Sequence, residues 1–104
     1  MKHKIGIGVI GTGARSQYVV GNLLRDSAHG VEIVAAFDPD EKEARRAVGL
    51  WETPACRICS TFEEVLATAG VEWIMIFSPN AYHKEQIIAA FAAGKHVFSE
   101  KPLA

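Results

Sequence analysis

Four apolar runs rich in β-branched residues recur along this chain: IGIGVI at 5–10, VEIVAAF at 31–37, WIMIF at 73–77 and HVFS at 96–99. They are continuous rather than alternating, the pattern of strands that are covered on both faces. Between them lie segments with helix-like ends. A first helix is expected from Ala14 to about Ser27, and DPDEKEARRAVG places Asp and Pro at helix-starting positions and stops at Gly49. STFEEVLATAG offers Ser60 or Thr61 as N-cap, Glu63 or Glu64 three residues on, and Gly70 as the stop. NAYHKEQIIAAFAAG runs from a capping Asn80 to Gly94 with Ile87, Ile88, Phe91 and Ala92 as its apolar stripe. Strands alternating with helices imply parallel pairing, right-handed crossovers and helices on both faces. The expected fold is therefore α/β, a doubly wound parallel sheet of order 3-2-1-4-5, with a short segment near Ile58 as the weak third strand at one edge.

The length of 104 residues suits one domain, residues 1–104, without linker, repeat or low-complexity segment. Lys and Arg number 11 against 12 Asp and Glu, and no run of like charge offers a footprint for nucleic acid or a membrane surface. MKHKIGIGVIG begins with basic residues, but its apolar stretch is short and broken by glycines, so it reads as a first strand in a cytoplasmic protein. Nothing approaches the ~20 apolar residues of a membrane span. The two cysteines, Cys56 and Cys59, form one CxxC in an extended segment. Positions three apart on a strand point to opposite faces, so the sulfurs are expected to be reduced structural thiols and no metal site is expected.

GVIGTGARS places Gly11, Gly13 and Ser16 in the spacing of a G-x-G-x-x-G loop, directly after a strand and before a helix. There the first glycine allows the tight turn, and the second lets a pyrophosphate approach the backbone at the helix N-terminus. The third position is serine instead of glycine; its task is close helix-to-strand packing, which a small side chain can meet. The loop Gly11, Thr12, Gly13, Ala14, Arg15 and Ser16 is thus a candidate dinucleotide-binding element of a Rossmann-like fold. Asp38, at the end of the second strand, lies 38 − 16 = 22 residues after the third motif position. This matches the acidic residue expected about 20 residues on, whose carboxylate accepts hydrogen bonds from the adenosine ribose. Asp38 can alternatively cap the next helix, a task that Asp40 can take over. A carboxylate there repels a 2′-phosphate and no Arg follows it directly, so NAD is preferred over NADP.

The fourth strand ends in FSPNAYH and the fifth runs into FSEKPLA, and in a doubly wound sheet ligands gather at the carboxyl ends of the strands. The stretch SPNAYHKEQIIAAFAAGKHVFSEKPLA resembles the signature of the glucose-fructose oxidoreductase, inositol dehydrogenase and rhizopine-catabolism (Gfo/Idh/MocA) oxidoreductases. Together with the glycine loop, the resemblance covers nearly all of the chain. It implies that the loop after the fourth strand, with Ser78, Pro79, Asn80 and His83, lies along the cofactor. It also implies that Glu100 and Lys101 reach the nicotinamide, and that Lys101 is the catalytic residue that orients and activates a substrate hydroxyl or carbonyl. Pro102 matches a proline often preceded by a cis bond.

Hydride transfer from an alcohol carbon needs the hydroxyl proton to leave as the carbonyl forms, and a lysine can take up that proton or donate to the developing oxygen charge. Both roles remain open. The resemblance further implies a second α+β domain in a longer chain, absent from these residues, supplying the substrate pocket and an oligomer interface. The expected activity is an NAD-dependent oxidoreductase acting on a sugar, polyol or related small molecule. The alternative is a nucleotide-binding or sensor module that performs no chemistry, and Lys101 separates the two.

Overall fold

In the computed structural model, residues 4–26, 30–77 and 80–99 are described, and the backbone forms five strands and four helices. In chain order these are β1 (Ile5–Ile10), α1 (Ala14–Asp26), β2 (Val31–Phe37), α2 (Glu41–Leu50), β3 (Arg57–Cys59), α3 (Phe62–Ala67), β4 (Trp73–Ile76), α4 (Asn80–Ala92) and β5 (His96–Ser99). All pairings are parallel and the order is β3-β2-β1-β4-β5, with the short segment around Ile58 at the edge as expected. No helix among the described residues is long and apolar enough to cross a membrane.

The apolar runs become strands because both of their faces are buried. On one face Ile7, Val9, Ile33, Ala36 and Met75 pack with Val20 of α1, Ala47 of α2 and Trp51. On the other, Ile10, Ala35, Ile74 and Ile76 pack with Phe62 and Val65 of α3 and Ala90 of α4. β2 changes phase on the way: Ile7 pairs with Ile33 but Gly8 with Ala35, so Val34 is an extra residue in a β-bulge. Ile33 and Ala36 therefore face α1 and α2, while Val34, Ala35 and Phe37 face α3 and α4.

Two helix ends and the inward face of one helix differ from the sequence reading. α3 has the expected capping box, Thr61 Oγ1 accepting from Glu64 N at 3.1 Å and Glu64 Oε1 accepting from Thr61 N at 3.2 Å. It stops at Ala67, ahead of Gly70, because the Thr68 hydroxyl donates back to Glu64 O at 2.7 Å and Thr68 itself is extended. α4 takes Asn80 as its first residue rather than as the residue before it. Of its expected stripe only Ile87 turns inward; Ile88 and Phe91 are 57% and 63% exposed, Ala92 is exposed as well, and Ala90 makes the buried contact. A small residue there brings the helix axis close to the short strands β4 and β5.

Cys59 sits in β3 facing the α3 and α4 side, and Cys56, just before the strand, packs on the opposite side with Trp51. Both thiols are free. Burial, aided by the neighbouring Cys59, pushes the Cys56 thiol up from 9.0 to about 12. The protonated thiol is the form that suits the fold. Its linked stability is complete below the unfolded value near 9 and is lost as pH rises towards about 12.

The tightest constraint lies where β1 starts. A Cβ on Gly6 would fall 1.8 Å from the carbonyl oxygen of Gly70, whose φ of +92° fits the turn leading into β4. The same residue is fastened on both sides, its amide to Glu72 Oε2 at 3.1 Å and its carbonyl to Glu72 N at 2.8 Å. Gly6→Ala should cost about 3 kcal/mol in urea unfolding, since backbone must shift to admit the methyl. Gly49→Ala, with nothing near the added atom, should be neutral or stabilising by up to about 1 kcal/mol. Alkylation of Cys56 by iodoacetamide at pH 8 should be far slower in the folded chain than in urea, as peptide mapping would show; equal rates would contradict the burial of the thiol.

Candidate functional site

The site is assembled at the carboxyl ends of β1 and β2, which lie side by side. β1 leaves the sheet through Gly11, whose φ of +87° suits glycine and whose amide donates to Phe37 O at 2.8 Å. Thr12 and Gly13 follow, and the amide of Gln17 donates to Gly13 O at 3.0 Å as the first turn of α1 closes. The N-terminus of a 13-residue helix thus lies at this edge of the sheet, and its positive dipole end favours an anion.

Asp38 stands across from that loop. Its Oδ2 accepts from Thr12 N at 2.7 Å and its Oδ1 from Asp40 N at 2.8 Å. Asp40, in turn, caps α2 by accepting from Lys42 N at 3.0 Å. Of the two sequence readings of Asp38, the structure gives the capping to Asp40 and turns Asp38 toward the glycine loop. An ionised carboxylate offers about four acceptor positions. Two are taken by backbone amides that orient the group, which leaves acceptor capacity for a ligand diol.

The hydroxyls of Thr12 and Ser16 are buried, and neither has a hydrogen-bond partner among the described residues. Ser16 occupies the third motif position at 1% exposure, so a serine fits where the fingerprint has glycine. Gly13 is exposed, with nothing within 4 Å of where a Cβ would be, so the loop backbone is open to close approach. Ala14 opens α1, and Arg15 is exposed beside it. These features fit a dinucleotide: open backbone and a helix N-terminus for the phosphates, and an oriented carboxylate for the ribose.

β4 and β5 end on the same edge as β1 and β2. Asn80 and His83 lie in the first turn of α4, at that edge. Ser78, Pro79, Glu100, Lys101 and Pro102 lie outside the described residues. The sequence reading missed two residues that the structure ties to the loop. Gln17 Nε2 donates to Thr12 O at 2.7 Å, and Trp51 Nε1 donates to Gln17 O at 3.1 Å. Neither belongs to a motif, and no spacing signals them. Among the described residues no group of three or more His, Cys, Asp or Glu is placed to hold a metal ion.

Residues 5–104 match the model of the Gfo/Idh/MocA oxidoreductase family, NAD-binding Rossmann fold. The chain belongs to this family. An inositol 2-dehydrogenase of Gluconacetobacter diazotrophicus is 43% identical over 100 residues, covering 96% of this chain and 29% of that protein. The myo-inositol dehydrogenase of Lactobacillus casei, solved in complex with NAD(H) and myo-inositol, superposes with a TM-score of 0.88 at 27% identity, covering 98% of this chain and 30% of that one. The WlbA dehydrogenase of Bordetella pertussis, solved with NADH and UDP-GlcNAcA, gives 0.84 at 28% identity, covering 98% and 30%. This Gfo/Idh/MocA chain therefore spans less than a third of the length of the relatives it matches.

For a Gfo/Idh/MocA nucleotide-binding domain the position of Asp38 has a direct consequence. Asp38→Ala should weaken NAD binding about tenfold or more in titration calorimetry while changing NADP binding much less, the loss expected when hydrogen bonds to a charged acceptor are removed. Tighter binding of NADP than of NAD by the unaltered chain would contradict the role given to Asp38.

Proposed function

We propose that residues 1–104 are the NAD-binding portion of an oxidoreductase that transfers a hydride to or from a polyol, a sugar or a related hydroxy or carbonyl compound. The observation that carries the reading is the pairing of Asp38 with Thr12 N at 2.7 Å, beside the open N-terminus of α1. It sets an oriented diol acceptor next to a phosphate-binding backbone. The names of the relatives support the substrate class, since they include inositol dehydrogenases and a dehydrogenase solved with a sugar nucleotide.

In this reading the loop from Gly11 to Ser16 holds the phosphates and Asp38 the adenosine ribose. Ser78, Pro79, Asn80 and His83 border the cofactor, and Glu100 and Lys101, just past β5, stand at its nicotinamide end. The cofactor, when bound, supplies the hydride acceptor or donor. Lys101 holds the substrate oxygen and either removes its proton or supports its developing charge. A further α+β domain of a longer chain closes the substrate pocket, excludes water and carries an oligomer interface; the threefold greater length of the relatives supports this.

The test is Lys101→Ala in the full-length protein, with inositol and other polyols as substrates. kcat should fall about 100- to 10,000-fold, the range for loss of a positioned acid or base, with NAD affinity nearly unchanged. The phosphates and adenosine ribose are held at the other end of the cofactor, so binding and turnover should separate. Near-normal kcat in a folded variant would remove Lys101 from the chemistry and favour a module that only senses the nucleotide.

A further inference from the structure

Gln17 joins three elements. Its side-chain amide nitrogen donates to Thr12 O at 2.7 Å and to Glu43 Oε2 of α2 at 3.4 Å, while its backbone carbonyl accepts from the Trp51 indole at 3.1 Å. Both side-chain partners are acceptors, so the bridge needs a donor with two hydrogens and no charge requirement of its own. An amide meets that need. A carboxylate at 17 would face a carbonyl and another carboxylate, and an aliphatic side chain would leave Thr12 O without this partner.

The Thr12 carbonyl belongs to the Thr12–Gly13 peptide, and in a trans peptide the C=O and N–H point in opposite directions. Drawing the oxygen toward Gln17, against the α1–α2 seam, turns the Gly13 N–H the other way. That amide belongs to the exposed residue of the loop, where nothing stands within 4 Å of an added Cβ. The Asp38 bond acts on a different unit: Thr12 N belongs to the Gly11–Thr12 peptide. Successive peptides of the loop are thus fixed by separate side chains, Asp38 for the first and Gln17 for the second.

We propose that Gln17 is the positioning residue for the phosphate-binding half of the site, fixing the Gly13 amide as a donor to the diphosphate of the cofactor. Trp51 holds Gln17 in turn, so the C-terminal end of α2 braces the loop through α1. The inference rests on the dinucleotide reading above, and its consequence is specific. Gln17 governs affinity for the diphosphate and leaves recognition of the adenosine ribose to Asp38.

The test compares ADP-ribose, which carries the diphosphate, with adenosine, which lacks it, by titrating the 15N-labelled chain in NMR. Gln17→Met and Gln17→Leu should each weaken ADP-ribose about 3- to 10-fold, the loss expected for one net hydrogen bond, and change adenosine less than twofold. The Gly13 amide resonance should shift in both variants before any ligand is added. Unchanged ADP-ribose affinity in the variants would overturn the assignment. So would equal losses for both ligands, or loss of the folded spectrum in both variants, because either would make Gln17 a general support of the fold. Failure of the unaltered chain to bind ADP-ribose would instead sink the dinucleotide reading itself, a result seen before any variant is made.

Discussion

Parallel pairing of the central strand β1, with β2 on one side and β4 on the other, is the constraint from which the rest of the structure follows. In a parallel sheet every strand ends at the same edge, so the carboxyl ends of β1, β2, β4 and β5 share one edge although they are far apart in sequence. Such a strand must be covered on both faces. β1 meets this requirement with Ile7 and Val9 toward α1 and α2 and Ile10 toward α3 and α4. The turn before β4 presses its Gly70 carbonyl onto Gly6, which has no side chain to resist it. The packing that buries β1 also fixes where Gly11 emerges.

At that edge two opposite electrostatic elements stand next to each other. The N-terminus of α1 carries a partial positive charge of about half a unit, and the Asp38 carboxylate carries a negative one. Alone, each would attract a different ligand, an anion or a donor-rich neutral group. Side by side they suit a molecule that has both in sequence, such as the diphosphate joined to a ribose diol that the proposed function calls for. Asp38 is oriented by the amides of Thr12 and Asp40, neutral donors that add no charge of their own.

Much of this was legible in the sequence. The five strands, their order and a capping box at the start of α3 could be read because each depends on residue types at fixed local spacing. The choice of Thr61 over Ser60 and of Asp40 over Asp38 as caps was settled only by the fold. The inward face of α4 could not be read from its apolar residues. Ile88 and Phe91 are more hydrophobic than Ala90, yet Ala90 is the residue against the sheet, because small size permits close approach and hydrophobicity alone does not determine orientation. Gln17 was equally hidden. A polar residue within an amphipathic helix reads as solvated, and its two acceptors lie on a loop and a neighbouring helix that only the fold brings together.

The β-bulge in β2 shows how such long-range facts decide the site. With strict alternation Ile33, Ala35 and Phe37 would share a face, and Asp38 would start out toward the opposite side, the side of α3 and α4. Val34 and Ala35 are both apolar, so either phase could be written into the same letters. The extra residue at Val34 puts Phe37 on the α3 and α4 side and turns the next residue toward α1 and α2. There Asp38 meets Thr12 N and the start of α2. A one-residue irregularity within the sheet thus directs the acidic group toward the glycine loop, and the spacing of 22 residues in sequence acquires its meaning only through that turn.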